Sequence, residues 1–187
     1  MPSNRWVAID FETATREATS ACALGIAVIE GLEIVDEAAW LIRPPFNDYD
    51  YQNTAVHGLS AEDTEDEPEF EEVWGEIRDA IGRATLLAHN APFDMRVLRA
   101  LIATRELAAP DYEYACTVAL SRRAWPSLRN HRLDTVCEHC GIDLVHHEAE
   151  SDARACARVA IEGARSVGAS NVDQAMQVLG LQIRRLV

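Results

Sequence analysis

The first forty residues carry apolar side chains in short runs that are typical of β-strands. We predict strands at residues 5–10, 22–30 and 33–42, with Gly31 at the turn between the second and third strands. Pro44 and Pro45 cannot continue a paired strand, so we predict that they open a loop reaching Gly58. The chain therefore begins with three consecutive strands.

From residue 60 onward, apolar positions recur mostly at helical spacing. Ser60 and Asp63 resemble a capping box that starts a helical stretch. The apolar residues that follow at helical spacing are Phe70, Val73, Trp74, Ile77 and Ile81. Further helices are predicted at residues 92–105, 118–124, 133–140, 150–164 and 172–186, and further strands at 85–89 and 112–117. This order predicts an α/β fold with a mixed five-stranded sheet flanked by helices.

Length and composition predict one domain. A chain of 187 residues, 48% of them apolar, can form one sizeable core, and we find no internal repeat or linker. We predict a single domain over residues 1–187, with a core at about 5–165 and a helical tail at 166–187. The apolar face of that tail could dock on a partner, but packing on its own domain is the favoured interpretation.

The start of the chain lacks the basic segment, apolar run and small-residue cleavage site of a signal peptide. The most apolar stretch, residues 21–29, is too short to span a bilayer. The odd number of cysteines, 5, is typical of reduced thiols when no export signal is present. These features predict a cytoplasmic protein.

The formal net charge of −14 excludes some functions. Proteins that coat duplex DNA neutralise its phosphates and are usually basic. Much of the negative charge lies at residues 62–79, where the favoured interpretation is a solvated helical face. The charge therefore disfavours a duplex-coating protein, but it permits an enzyme that holds one strand end through metal ions.

Two carboxylates lie close together at the end of the first predicted strand. Alternate side chains of a strand share one face. Asp10 and Glu12 therefore point to the same side as Trp6 and Ala8 if the strand continues that far.

Two further aspartates occupy the apolar faces of predicted helices. Asp94 and Asp152 are each spaced like the buried positions of their helices. Both are near helix N-termini, where the helix dipole favours an anion. Either residue alone would more often be a helix cap.

Four carboxylates directed at a core are costly unless they are paired or bound to metal. No comparable set of basic residues occupies matching positions. All-oxygen donors suit hard cations such as Mg²⁺ or Mn²⁺, and two such ions can stabilise the attacking and leaving oxygens of a phosphodiester displacement. The sequence therefore predicts phosphoryl chemistry, provided that the four acids converge in space.

Three segments occur in a characteristic order. They are Ile9-Asp10-Phe11-Glu12-Thr13, then His89-Asn90-Ala91-Pro92-Phe93-Asp94, then His147 followed five positions later by Asp152. Together they resemble the motifs of the DEDDh 3′→5′ exonucleases, in the ribonuclease H-like superfamily. The chain is most similar to the proofreading epsilon subunit of bacterial DNA polymerase III and its stand-alone relatives. The resemblance covers about residues 5–165 and implies a ribonuclease H-like fold.

The resemblance implies an enzyme that releases 5′ mononucleotides from single-stranded or frayed DNA ends by two-metal-ion hydrolysis. It implies Asp10, Glu12, Asp94 and Asp152 as ligands of two divalent cations, Mg²⁺ or Mn²⁺. It also implies His147 as the general base, because a neutral imidazole can accept a proton from the attacking water. These five side chains are the expected catalytic residues.

The resemblance further implies substrate contacts. The residues concerned are Phe11, Thr13, His57 with its neighbour Gly58, Asn90 and Phe93. For Phe93, ordinary core packing is an equal alternative. The expected partner is the 3′ end of a single strand, DNA more than RNA, and a DNA polymerase is a second candidate partner. The alternatives are an RNA-trimming or oligoribonucleotide exonuclease of the same fold, and a non-catalytic module that docks on a polymerase.

Two other clusters have competing interpretations. The basic cluster of Arg122, Arg123, Arg129 and Arg132 could contact phosphates, although a solvated face is favoured. The second cluster combines a Cys-x-x-Cys pair with two histidines. Its members are Cys137, Cys140, His146 and His147. Zinc binding is the less favoured interpretation, because small buried side chains on a helix explain the cysteines. His146 also competes with His147 as the base, but its spacing to the last aspartate is one residue too long.

Overall fold

The computed structural model describes residues 5–186; residues 1–4 and 187 of the predicted domain lie outside the described residues. Within this range one sheet has six strands in the order β3-β2-β1-β4-β5-β6. The strands are β1 (Arg5–Thr13), β2 (Ala21–Glu30), β3 (Glu33–Leu41), β4 (Thr85–Ala88), β5 (Glu113–Cys116) and β6 (Arg184–Arg185). Strands β1, β2 and β3 pair antiparallel, β4 is parallel to β1 and β5, and β6 is antiparallel to β5.

Eight α-helices accompany the sheet in the described residues. They are α1 (Tyr51–His57), α2 (Ala61–Thr64), α3 (Phe70–Ile81), α4 (Pro92–Thr104), α5 (Thr117–Ala124), α6 (Leu133–Cys140), α7 (Ala149–Ser166) and α8 (Val172–Val178). Apolar residues of α3 and α4 pack on one face of the sheet, and those of α5 to α8 pack on the other. Because both faces are covered, β2 is a nearly continuous apolar run rather than an alternating one.

The start of α2 is fixed by the predicted capping box. The backbone N–H of Ser60 donates to Asp63 Oδ2 at 2.8 Å. The helix that this box starts is only 4 residues long. The longer helix α3 begins with a capping box of its own, formed by Glu69 and Glu72.

The predicted α/β class is confirmed, because the sheet is mixed and helices flank it. The predicted helix at residues 172–186 is wrong after residue 178. Helix α8 ends there because Gly180 adopts a left-handed conformation with φ 64°. The chain then extends, and Arg184–Arg185 adds a sixth strand to the five that were predicted. Leu186 is buried in the core beside that strand.

The predicted loop between Pro44 and Gly58 is also wrong in part. It contains a 3₁₀ turn at Pro45–Asn47 and the helix α1. No residue of α1 is buried, so its sequence has no apolar periodicity that would predict a helix. The helix ends at Gly58, whose φ is 78° and whose N–H donates to the Thr54 carbonyl oxygen. Among residues 5–186, no helix has both the length and the apolar character that crossing a bilayer requires.

Candidate active site

Asp10 and Glu12 lie at the carboxyl end of β1, on the sheet face covered by α7. The strand continues to Thr13, so the alternation of side chains holds through both acids. Trp6 and Ala8, on the same face, pack with α7 residues in the core. The apolar core beneath α7 therefore ends where the two carboxylates begin.

A glycine in β2 brings α7 close to these acids. Gly25 is paired with Asp10 in the antiparallel register. A Cβ atom at Gly25 would lie 2.0 Å from the carbonyl oxygen of Ala149, the first residue of α7. The helix N-terminus therefore rests directly on the backbone of β2, and only glycine allows this approach.

Asp94 lies in the first turn of α4, two residues after Pro92. The aspartate is only 2% exposed. Its Oδ1 accepts the backbone N–H of Phe11 at 3.0 Å. This hydrogen bond fixes the start of α4 to β1, at the residue between Asp10 and Glu12.

Asp152 lies in the first turn of α7 and is 4% exposed. Its Oδ2 accepts the backbone N–H of His147 at 3.0 Å. The Nδ1 atom of His146 is 3.2 Å from Oδ1 and 3.1 Å from Oδ2. The two imidazoles stack with ring centroids 3.9 Å apart, and His147 has a left-handed backbone with φ 69°. The turn before α7 thus holds both histidines beside one carboxylate.

Three of the predicted acids converge directly. One carboxylate oxygen from each of Asp10, Glu12 and Asp152 lies within 4.8 Å of the other two. Asp94 is joined to this group through the Phe11 hydrogen bond and through its charge, which raises the pKa of Asp10 and of Glu12. A second group within the same limit combines Asp152 with the ring nitrogens of His146 and His147.

The electrostatics of the cluster disfavour four ionised carboxylates. Burial, followed by the charges of Asp94, Asp152 and Glu12, raises the pKa of Asp10 well above its usual value. Burial and the charges of Asp152 and Asp94 raise the pKa of Glu12 to about 8. Burial raises the pKa of Asp94 to about 7, even though the Phe11 N–H opposes the shift. Carboxylates this deeply buried and this close together therefore need positive charge beside them before all of them can ionise.

The donor set fits hard divalent cations. Among residues 5–186, no arginine lies within 4.0 Å of these four carboxylates, and the basic side chain beside them is that of His146, whose Nδ1 is 3.1 Å from Asp152 Oδ2. Oxygen-only donors that are buried and mutually repulsive are the ligands that Mg²⁺ and Mn²⁺ favour. Bound cations would supply the missing charge.

A cleft of about 810 Å³ opens on one side of the acids. Its lining includes His147, Asn90 and Phe93, together with Arg122 and Arg132. A smaller depression of about 250 Å³ lies on the other side, between β3, α1 and the start of α7. Glu12 and His147 line both, so these two residues lie between the two recesses.

Thr13, at the end of β1, contacts His57, which lines the smaller depression. The Thr13 carbonyl oxygen accepts hydrogen bonds from Asn53 Nδ2 at 2.7 Å and from His57 Nε2 at 3.2 Å. The backbone N–H of Leu59 donates to His57 Nδ1 at 3.1 Å, so the ring proton lies on Nε2. Burial lowers the pKa of His57, which keeps the ring neutral. This network holds α1 against the end of β1.

The other predicted substrate contacts divide by position. Asn90 has a left-handed backbone with φ 73° and lines the cleft. Phe93 lines the cleft and is also partly buried against the core. The ring of Phe11 is buried against Phe70 on the opposite face of β1, with centroids 6.4 Å apart. Phe11 is also among the residues that line the cleft, and its backbone N–H is bound to Asp94.

His89, the first residue of the second motif, braces the cleft wall. Its Nε2 lies 2.9 Å from the His131 carbonyl oxygen, and its Nδ1 lies 2.9 Å from the Thr117 hydroxyl oxygen. Burial lowers the pKa of His89 to about 4, so the imidazole is neutral. It connects β4 to the loop before α6.

The predicted basic cluster is divided by the fold. Arg122 and Arg132 line the cleft, and Arg123 lines a neighbouring groove. Arg129 faces Glu138 at 3.6 Å on the exposed surface. Cys137 is buried in the core beneath α7, and the ligand groups that converge in the described residues include no cysteine.

Three positioning residues were not identified in the sequence. Gly25 had a usable signal, since a glycine inside an apolar strand often marks a close backbone approach. The spacing of His146 to Asp152 gives no sign of their contact, because a non-helical turn places the imidazole against that carboxylate. Asn53 had no signal, because its helix was not predicted.

Comparisons with known proteins agree with this arrangement. The profile of the RNase_T exonuclease family matches residues 7–160. DNA polymerase III of the PolC type from Thermotoga maritima is 33% identical over 159 residues, which cover 82% of this chain and 11% of that protein. The epsilon subunit of DNA polymerase III from Haemophilus influenzae is 30% identical over 154 residues, which cover 75% of this chain and 58% of that subunit. The chain thus spans only part of either relative.

Solved structures show the same fold. Exonuclease X in complex with 5′ overhanging duplex DNA has a TM-score of 0.74 and 24% identity, covering 94% of this chain and 99% of that one. The nuclease domain of 3′hExo, a DEDDh family member bound to rAMP, has a TM-score of 0.75 and 17% identity, covering 91% and 97%.

The fold and the carboxylate cluster together define a ribonuclease H-like nuclease domain. Within that class, the chain belongs to the exonuclease family, and its resemblance to the DEDDh exonucleases is confirmed.

Proposed function

We propose that this chain is a metal-dependent 3′→5′ exonuclease that releases 5′ mononucleotides from single-stranded or frayed DNA ends. The convergence of Asp10, Glu12 and Asp152 beside His147 carries the proposal. Phosphodiester hydrolysis needs positive charge near the phosphate and a base near the attacking water. The four acids would bind the cations that carry this positive charge, and His147 would be the base.

Asp10, Glu12, Asp94 and Asp152 would hold two divalent cations, Mg²⁺ or Mn²⁺. When bound, such ions neutralise the charge that develops on the attacking and leaving oxygens of the phosphodiester. The chain contributes the positions of the ligands: β1 presents two acids, α4 is fixed to β1 by the Phe11 hydrogen bond, and α7 rests on Gly25.

His147 would accept a proton from the water that attacks the terminal phosphorus. Burial and the charge of His146 lower the pKa of His147, so its ring is neutral and can accept a proton at neutral pH. The new bond joins the water oxygen to phosphorus, and the bond from phosphorus to the 3′ oxygen of the preceding nucleotide breaks. The products are a 5′ mononucleotide and a strand with a free 3′ hydroxyl.

DNA is the favoured substrate because relatives 33% and 30% identical in sequence are DNA polymerase III proteins. RNA is the second candidate, because a structural neighbour of 0.75 TM-score is bound to rAMP. A non-catalytic docking module is less favoured, since such a module has no use for a costly cluster of carboxylates. Association with a polymerase is compatible with the catalytic proposal.

The test compares DNA and RNA oligonucleotides of one sequence, labelled at either end, with Mg²⁺ or Mn²⁺. A 3′→5′ exonuclease releases the 3′ label at once as a mononucleotide and shortens the 5′-labelled strand stepwise. Circular single-stranded DNA is the matched control and should stay intact. Faster shortening of RNA would reassign the substrate. If folded protein with metal releases nothing from either polymer, the proposal is wrong.

A further inference from the structure

A groove of about 510 Å³ lies beside the catalytic cleft, between the start of α4, helix α5 and the segment after α8. We call it the arginine groove, after the three arginines in its lining, Arg122, Arg123 and Arg184. Asn90, Val118 and Arg122 line both the groove and the cleft. The groove and the cleft therefore adjoin, and the groove is a candidate continuation of the cleft for a chain-like ligand.

The charge of this groove opposes that of the whole chain. Its lining includes three arginines and no aspartate or glutamate, whereas the chain has a net charge of −14. All three side chains are on exposed residues. Among the described residues, none of the three guanidinium groups has a carboxylate within 4.0 Å, in contrast to Arg154 and Arg165 on α7. These charges are therefore available to an anionic ligand.

The recess on the other side of the acids has the opposite character. Its lining includes Glu12, Glu148 and Glu150, and no arginine. Phosphates that extended in that direction would meet like charges in a narrow space. Glu12 and His147 therefore lie between a recess that repels a phosphate backbone and a cleft that leads to the arginine groove.

We propose that the arginine groove binds the phosphates of the single strand on the 5′ side of the scissile bond. This inference rests on the proposed function, and it adds the direction in which the strand leaves the site. From β1 to β6 the sheet advances by three strand spacings, about 14 Å. At about 3.4 Å per stacked nucleotide, the groove reaches roughly four nucleotides beyond the reacting one.

The experiment compares the unaltered chain with Arg123→Gln, Arg184→Gln and the double variant. Arg158→Gln is the matched control, because Arg158 is exposed on α7 and absent from both linings. The binding probe is a 5′-fluorescein oligothymidylate of about twelve nucleotides, followed by anisotropy in EDTA at several salt concentrations. The kinetic probes are the same oligomer and a thymidine dinucleotide, which is too short to extend along the groove.

We expect the plot of log affinity against log salt to become shallower by about 0.7 for each groove arginine replaced. We also expect KM to rise for the long oligomer and to change less than about twofold for the dinucleotide. Arg158→Gln should match the unaltered chain. We refer to the proposed binding of the strand in the arginine groove as the track. Equal salt slopes for all proteins, or equal losses on both substrates, would overturn the track.

The two proposals fail in different ways. If the unaltered chain binds the oligomer in an arginine-dependent manner but hydrolyses neither substrate, the catalytic proposal fails and the track stands. If it hydrolyses both substrates while Arg123→Gln and Arg184→Gln have no effect on KM or salt slope, the track fails and the catalytic proposal stands. Absence of any binding to the long oligomer would overturn the track.

Discussion

The carbonyl oxygen of Ala149 occupies the space where a side chain at Gly25 would begin, 2.0 Å from the ideal Cβ position. Gly25 is paired with Asp10 across the β1–β2 ladder, and Ala149 begins the helix that carries Asp152. The short distance between these two acids therefore depends on the absence of a side chain at residue 25.

We expect Gly25→Ala to weaken both stability and activity. The added methyl group forces the N-terminus of α7 away from β2, at a cost of about 1–3 kcal/mol for overpacking. A displacement of about 1 Å at Asp152 would lower turnover by roughly a hundredfold. Urea unfolding and nucleotide release measure the two effects.

The matched control is Gly75→Ala. Gly75 lies inside α3, and a Cβ there would meet nothing within 4 Å. Alanine at this position should stabilise the helix by up to about 1 kcal/mol and leave turnover unchanged. If Gly25→Ala behaves like Gly75→Ala, the close approach of α7 does not position the site.

The acids could be found in the sequence because each interrupts an otherwise apolar face. Asp10 follows the alternation of β1, and Asp152 lies among buried positions of α7. Their convergence could not be deduced in this way, because it depends on which strands pair and on how closely α7 approaches β2. Strand pairing and the approach of α7 to β2 are tertiary properties. Gly25 is the local sequence feature that indicates the close approach.

The tail shows the limit of periodicity. Apolar residues at helical spacing continued past Gly180, but a left-handed glycine ends the helix before them. Arg184 then joins the sheet edge through backbone hydrogen bonds, which do not depend on side-chain type. The sequence could not predict the arginine groove either. Arg184 is more than sixty residues from Arg122, and only the folded chain brings the two side chains to one groove.

The two histidines before α7 should have unequal roles in catalysis. We expect His147→Asn to lower kcat by about 10²–10⁴-fold while metal affinity changes little. Asparagine tolerates the left-handed backbone at this position and cannot act as the base. His146→Asn is the matched change, and it should cost less than about tenfold. Steady-state kinetics and metal titration of both variants provide the check. A larger loss for His146→Asn would make His146 the base, and a loss of metal affinity for His147→Asn would make His147 a ligand.

The metal-free protein should lose stability as pH rises. The pKa of Glu12 is raised from 4.5 to about 8, and that of Asp94 from 3.8 to about 7. The folded state therefore binds more protons than the unfolded state between these values, so stability is fullest near pH 4 and falls as pH approaches about 8. Thermal unfolding in EDTA should show a Tm that declines across this window, at about 2–4 °C per kcal/mol. Glu12→Gln should flatten the decline, whereas the exposed Glu33→Gln should not. Parallel curves for the three proteins would contradict the proposed cause.

Replacing Asp10 should raise the stability of the metal-free protein and reduce the stability that metal ions add. In EDTA, Asp10→Asn removes a carboxylate that burial and the charges of Asp94 and Asp152 disfavour, so we expect a higher Tm than that of the unaltered chain. Mg²⁺ or Mn²⁺ at about a hundred times its Kd should stabilise the unaltered chain by about 2.7 kcal/mol, and Asp10→Asn should lose most of that gain. Nucleotide release should fall by on the order of a thousandfold or more, because the ions no longer sit where charge develops. Glu33→Gln, which changes the net charge equally at an exposed site, controls for general electrostatics. A metal-induced rise in Tm that survives in Asp10→Asn would show that the cations bind elsewhere.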